Sequence, residues 1–249
     1  MIKIKHYIFA AIFIAAIWQG LSITAGPVIP SPYTTILTFT DLLKDGMLIH
    51  MAVSLYRILA SLILAFCVGV PMGLVLGREQ KVDNFFSFVI LLLYPIPKIV
   101  FLPVLLMLLG LGDLPRILLI SIIVFFHMVV TARDASKNIP NQSLDSIKSL
   151  GASKTDIYRH VVVPACMPEI FTSLRISLGT ALSVLFFTET FATTRGIGYF
   201  IMDAWTRADY NELFSGILGM SLIGLLLFLL TDFVEKVICR WKYCEIRIC

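Results

Sequence analysis

The chain has 249 residues, of which 58% are hydrophobic and only 14% charged, and a formal net charge of +4; its mean hydropathy is +0.91. A soluble domain carries roughly 25% charged residues, so this composition argues against a soluble enzyme and for a membrane protein. The four histidines are scattered and the five cysteines match no zinc-ligand spacing. Metal chemistry is therefore not expected, and the thiols are expected to stay free.

A bilayer span needs about 20 mostly apolar residues, and six stretches meet that need: 7–25, 51–77, 85–110, 116–133, 167–192 and 213–237. The first has a basic start and ends in Ser22-Ile23-Thr24-Ala25-Gly26, like a secretory signal, but its apolar run is long for a signal core and is read as a retained span. Pro27, Pro30 and Pro32 favour an extended exit from it, with a short surface helix expected over 34–44. In the second span Gly69, Gly73 and Gly77 recur every four residues, a pattern suited to close helix packing. Arg78-Glu79-Gln80-Lys81 reads as a tight charged turn. Pro95, Pro97 and Pro103 interrupt the third span, which must break where other protein groups or water satisfy the freed backbone.

The connection over 134–166 is long, and connections of that length are usually functional or disordered. This one carries helix punctuation. Ser143 is expected to cap a helix over 144–150, and Gly151 to supply the left-handed residue that ends it. Ser153 and Asp156 form a capping-box pattern for a second helix over 154–160, and Pro164 is expected to stop it before the fifth span.

Lys and Arg near the span ends orient the chain. With both termini cytoplasmic, thirteen lie inside and four (Lys44, Arg116, Arg195, Arg207) outside. The positive charge reflects this asymmetry and implies no nucleic-acid partner. Charges at depth face protein or a water-filled path. Lys98, after the Pro-x-Pro break, is either an anion-attracting pathway residue or a structural lysine. Glu189 either gates or pairs with Arg57 at similar depth. Arg175 reads as a packing and lipid-interface residue, and His127 as a hydrogen-bonded core histidine. Gly196-Ile197-Gly198-Tyr199 reads as a tight outer turn. A secondary transporter would show inverted repeats and paired midplane acids, and neither is evident.

Asp145-Ser146-Ile147, three residues, Gly151-Ala152, and then Val161-x-Val163-Pro164 has the spacing of the EAA loop, Glu-Ala-Ala, three residues, Gly, nine residues, Ile-x-Leu-Pro. Only the opening triplet departs, and it keeps an acid. The chain thus resembles permease subunits of binding-protein-dependent ABC importers. Asp45-Gly46, Ser54-Leu55-x-Arg57, Gly69-x-Pro71-x-Gly73, Tyr94-Pro95-x-Pro97-Lys98, Leu102-Pro103, Gly110-x-Gly112, Leu174-Arg175, Glu189 and Gly196-Ile197-Gly198-Tyr199 are similar to the nitrate/sulfonate/taurine (NitT/TauT) subfamily.

The resemblance implies an all-α integral membrane protein with six transmembrane helices, the type I permease fold and cytoplasmic coupling helices. It would be one domain over 1–249, with a core at about 50–240. It implies a bacterial inner-membrane protein that works as a homodimer with two ABC ATPase subunits and a periplasmic or lipid-anchored solute-binding protein. No phosphate loop Gly-x-x-x-x-Gly-Lys occurs, so no cofactor and no catalysis are expected here; ATP belongs to the partner. The 145–147, 151–152 and 161–164 positions would dock the ATPase, while Lys98, Glu189, Arg57, Gly196, Gly198 and Tyr199 would lie at the pathway or gate. The implied solute is a small oxyanion or organic anion such as sulfonate, taurine, nitrate or bicarbonate, with a neutral or heterocyclic vitamin precursor as the alternative.

Overall fold

The structure is a computed structural model that describes residues 2–241. Cys244 and Cys249, with Lys242 and Arg247, lie outside the described residues. All regular structure among the described residues is helical. Four of the six expected spans are single helices lengthened by a few residues: α1 (Ile2–Ala25), α3 (Met47–Arg78), α6 (Leu114–Lys137) and α11 (Tyr210–Ile238). The short helix α2 (Pro32–Leu42) starts two residues earlier than expected. Ser31 accepts from the Thr34 N–H and Pro32 occupies the first helical position, where its missing N–H costs nothing.

The third span is broken, as its prolines require. Helix α4 (Gln80–Leu93) ends before Pro95, a 3-10 turn covers Lys98–Phe101, and α5 (Leu102–Leu109) follows. The two halves meet at 79°, so the described residues hold five helices long and apolar enough to cross a membrane, or up to six spans with the bent pair counted as one.

The fifth span departs from expectation at its start. Helix α7 (Asn141–Ser149) begins after Pro140, so Ser143 lies inside it and caps nothing. Helix α8 (Lys154–Ile157) has the expected capping box between Ser153 and Asp156. Pro164 does not stop it. The chain widens into a π turn, Tyr158–Val162, in which the Val163 N–H bonds to the Tyr158 carbonyl, and then continues as α9 (Val163–Glu189). A proline removes one helical hydrogen bond and its ring crowds the carbonyl four residues back; the wide turn just before Pro164 relieves both. Gly196 precedes a helix, not a turn: α10 (Ile197–Thr206) includes Gly198 and Tyr199.

The described residues form two compact units, one of residues 2–55 with Phe186–Ile223, the other of Tyr56–Leu185 with 224–241. In the first, the Trp18 indole donates to the Pro30 carbonyl (3.1 Å) and stacks on Phe214 (6.1 Å). Phe39, Met47, Ile197 and Ala204 are buried.

In the second unit, α3 and α6 meet closely enough to need glycine. A Cβ on Gly73 would lie 2.5 Å from the Val129 carbonyl oxygen, and one on Gly77 would overlap the Arg133 carbonyl. Lipid supplies no hydrophobic force between helices, so such contact and interhelical hydrogen bonds hold them. The Ser136 hydroxyl donates to the Leu74 carbonyl (3.1 Å), Arg78 donates to the Ser136 carbonyl (2.8 Å), and Ser61 donates to the Ile117 carbonyl (3.1 Å). Cys67 and Cys166 are free thiols.

Candidate functional site

The α7–α8 connection is a helix–glycine–helix knuckle. Gly151 sits at φ +81°, in the left-handed region that a side chain disfavours. Its N–H bonds to the Lys148 carbonyl (2.9 Å) and the Ala152 N–H to Ile147 (3.4 Å), the paired bonds that close a helix C-terminus. Leu144 is buried beneath the knuckle, whereas Leu150 at its tip is 86% exposed. Asp145 pairs with its neighbour Lys148 (3.0 Å), both side chains being largely exposed. Lys154 reaches Glu79, just past the end of α3, at 3.2 Å. Of the motif's aliphatic residues, Val163 is exposed and Ile147 and Val161 are partly so.

The second unit also contains an open cavity of about 740 Å³ between α6, α9 and Tyr94. From α9 it is lined by Glu169, Thr172, Ser173, Ser177 and Thr180, a stripe that returns every three or four residues and so occupies one helix face. From α6 come His127 and Thr131. Thr131 donates to the Ser173 hydroxyl (2.9 Å), and the His127 ring meets the Ser177 hydroxyl at 3.3 Å. Thr172 also donates to the Pro168 carbonyl one turn back (2.9 Å).

In the first unit, fully buried Glu189 fastens three segments. The Ser54 hydroxyl lies 2.8 Å from both carboxylate oxygens, and the Gly198 N–H donates to one of them at 2.9 Å. Ser54 also accepts from the Ile197 N–H (2.8 Å). The carboxylate fills the space where a Cβ of Gly196 would stand, and Gly196 has φ +118°, so this position requires glycine. His50 Nδ1 lies 3.2 Å from both the N–H and the carbonyl oxygen of Gly196, and its ring stacks on Tyr199 (5.9 Å). A carboxylate at the start of α10 is also favoured by the helix dipole.

Residues 69–241 match the family of binding-protein-dependent transport system inner membrane components. The chain belongs to that family. It is 31% identical to the taurine transport system permease protein TauC of Escherichia coli (strain K12), over 77% of this chain and 70% of that one. It is 27% identical to the putative aliphatic sulfonates transport permease protein SsuC of Bacillus subtilis (strain 168), over 92% and 84%. A chain of the MetNI methionine ABC transporter, solved in inward facing conformations, superposes with a TM-score of 0.66 at 18% identity, covering 77% of this chain and 95% of that one. The fold is therefore the type I permease fold of ABC importers, and the chain is a membrane-spanning importer permease of the NitT/TauT type.

Within the permease, several charges singled out in the sequence have structural partners. The Lys98 ammonium donates to the carbonyls of Leu93 (3.1 Å), Tyr94 (2.9 Å) and Ile96 (3.3 Å) and lies over the Phe126 ring (4.5 Å). These carbonyls lie at and just past the end of α4, where helical partners run out and the Leu93 carbonyl also accepts from the Ile96 N–H (3.3 Å), so the cation helps close the break. Arg57, 3% exposed, donates to Asp113 through Nε (2.8 Å) and Nη2 (2.6 Å). Arg175, read as a packing and lipid-interface residue, pairs with Glu235 and Asp232 of α11 and lies over the Phe228 ring (5.5 Å). Arg116, counted as an outer-surface charge, is fully buried and donates to the Leu111 and Gly112 carbonyls. The groove residues Thr131, Glu169, Ser173 and Ser177 escaped sequence reasoning directed at deep charges. Their signal was available as Glu169, Ser173 and Ser177 at four-residue intervals.

Proposed function

We propose that two copies of this permease line a pathway in a bacterial inner membrane, each as a single membrane domain, for a small sulfonate-type anion delivered by a solute-binding protein. Two separate ABC ATPase subunits supply the work, and the chain itself holds no cofactor and does no catalysis. The termini and the α7–α8 knuckle lie on the cytoplasmic side, in keeping with the Lys and Arg asymmetry. The names of the relatives TauC and SsuC support the sulfonate class. The groove hydroxyls of Thr131, Thr172, Ser173, Ser177 and Thr180 support passage by hydrogen bonding, which holds an anion weakly enough to release it.

The observation that carries the coupling reading is the knuckle: a rigid, capped, exposed turn presenting Leu150 at its tip. Set at the glycine turn of a connection with the spacing of the EAA loop, this exposed apolar tip supports a docking role. Asp145, Ser146, Ile147, Gly151, Ala152, Val161, Val163 and Pro164 are the proposed docking and coupling positions. The buried Glu189, with Gly196, Gly198 and Tyr199, is proposed to hold the outer gate segment. Arg57 is proposed to brace it, and Lys98 to support the broken span beside the pathway.

The test is Gly151→Val in the complex with its ATPase. Nothing lies within 4 Å of the added Cβ, so the strain is purely in the backbone at positive φ, about 1–2 kcal/mol or more for a β-branched residue. Membrane insertion is expected to be normal and uptake lost, with ATP hydrolysis no longer stimulated by loaded binding protein. Wild-type uptake at equal expression refutes the coupling role.

A further inference from the structure

The groove's polar groups change character from one end to the other. His127 meets Ser177 at 3.3 Å, and one turn along each helix Thr131 donates to Ser173 at 2.9 Å. Numbers rise on α6 as they fall on α9, so the two helices run antiparallel here. The next step along α9, about 6 Å beyond Ser173, is Glu169, whose exposed side chain lines the same cavity. Glu169 follows soon after Val163, where α9 begins past the π turn, so it stands at the knuckle end of the groove. Lys98 stands at the other end: its ammonium lies over Tyr94 (5.4 Å), whose ring meets His127 edge-on (6.5 Å). Among the described residues lining the cavity, none is a lysine or arginine. The lining therefore leaves the carboxylate uncompensated at the point where a solute departs from Ser173.

We infer that Glu169 is the release residue of this pathway: its carboxylate repels an anion seated at Ser173 and keeps delivered solute from refilling the groove. The inference rests on reading the groove as the pathway and the knuckle as its cytoplasmic end. Two like charges about 6 Å apart lie within the screening length of physiological salt. They also repel more strongly in a partly dry cavity than in water. At Ser177, two steps and about 12 Å away, the repulsion is largely screened. An anion is thus held by hydrogen bonds at the His127 end and loosened at the last station before the cytoplasm. A fixed charge cannot give transport a direction, which the ATPase supplies. It lowers the occupancy of the groove by solute already inside, so the transporter resets empty and import continues as solute accumulates.

The experiment measures uptake of radiolabelled ethanesulfonate into proteoliposomes holding the complete transporter, with ATP and increasing unlabelled ethanesulfonate enclosed and binding protein outside. Each variant is normalised to its own rate without enclosed solute, and the enclosed concentration that halves uptake is compared. Glu169→Gln is expected to lower that concentration about tenfold. Glu169→Asp, which keeps the charge, is expected to behave like the wild type. An unchanged half-inhibiting concentration in Glu169→Gln overturns the inference and leaves the sulfonate reading standing. An equal fall in Glu169→Asp also overturns it, because the defect then follows side-chain shape rather than charge. Failure of Glu169→Gln to assemble overturns it as well, by making Glu169 a structural residue. No uptake of ethanesulfonate by the wild type refutes the sulfonate reading and the inference together.

Discussion

Replacing Ser54 with alanine removes a single oxygen, yet it should be among the most damaging small substitutions in the permease. The hydroxyl donates to the buried Glu189 carboxylate and accepts from the Ile197 N–H. A hydrogen bond to a charged group contributes about 1.5–3 kcal/mol, and a buried N–H left without an acceptor costs about 1–3 kcal/mol. The expected destabilisation is therefore about 2.5–6 kcal/mol, concentrated at the start of α10. Ser61→Ala is the matched control. Ser61 is also fully buried, but it donates to the Arg57 and Ile117 carbonyls (2.7 and 3.1 Å). The Arg57 carbonyl also belongs to the helix ladder of α3, so losing this hydroxyl should cost about 1 kcal/mol. Thermal stability of the purified complex, followed by the fraction that stays monodisperse on heating, measures both. Ser54→Ala should fall well below Ser61→Ala. Equal loss in the two variants would mean that Glu189 does not organise the segment as described.

Lys98→Met should reduce complex yield before it affects transport, because the Leu93, Tyr94 and Ile96 carbonyls all lose the ammonium, while Leu93 keeps the Ile96 N–H as a second donor. With solvent exposure discounted, the cost is about 1–3 kcal/mol; normal yield with lost uptake would instead assign Lys98 to the pathway. Gly77→Leu should abolish stable insertion, since its side chain meets the Arg133 backbone and Ser136 on α6. Overpacking of this kind costs about 1–3 kcal/mol or more, and wild-type yield of Gly77→Leu in membranes would contradict the α3–α6 packing.

Much of this architecture was legible because the signals were local. Pro95 and Pro97 force the break in the third span wherever the rest of the chain goes, and Ser153 with Asp156 closes its capping box within four residues. Gly73 and Gly77 announced a close helix contact, although only the structure names α6 as the partner. What escaped was set by tertiary context. Pro164 looked like a stop, but a π turn absorbed it. Gly196-Ile197-Gly198-Tyr199 looked like a turn, but Glu189, nine residues before Gly198, and Ser54, distant in sequence, accept from the N–H groups of a helix start there. Lys98 stayed open between a pathway and a structural role, and Arg116 was counted with the outer charges, because a sequence does not reveal backbone carbonyls as partners. The groove was overlooked for a different reason: serine and threonine are common in spans, and only their shared face with Glu169 distinguishes this set.

The central claim is that solute crosses through this permease using work done by a separate ATPase and passed on through the α7–α8 knuckle. It is tested most directly by uptake of radiolabelled 2-aminoethanesulfonate into proteoliposomes holding the permease alone, or the permease with its ATPase, with binding protein outside and ATP enclosed. Uptake is predicted only when the ATPase and ATP are both present, and it should vanish when Gly151→Val replaces the wild type. Accumulation by the permease alone, driven by an ion gradient without ATP, would contradict the account.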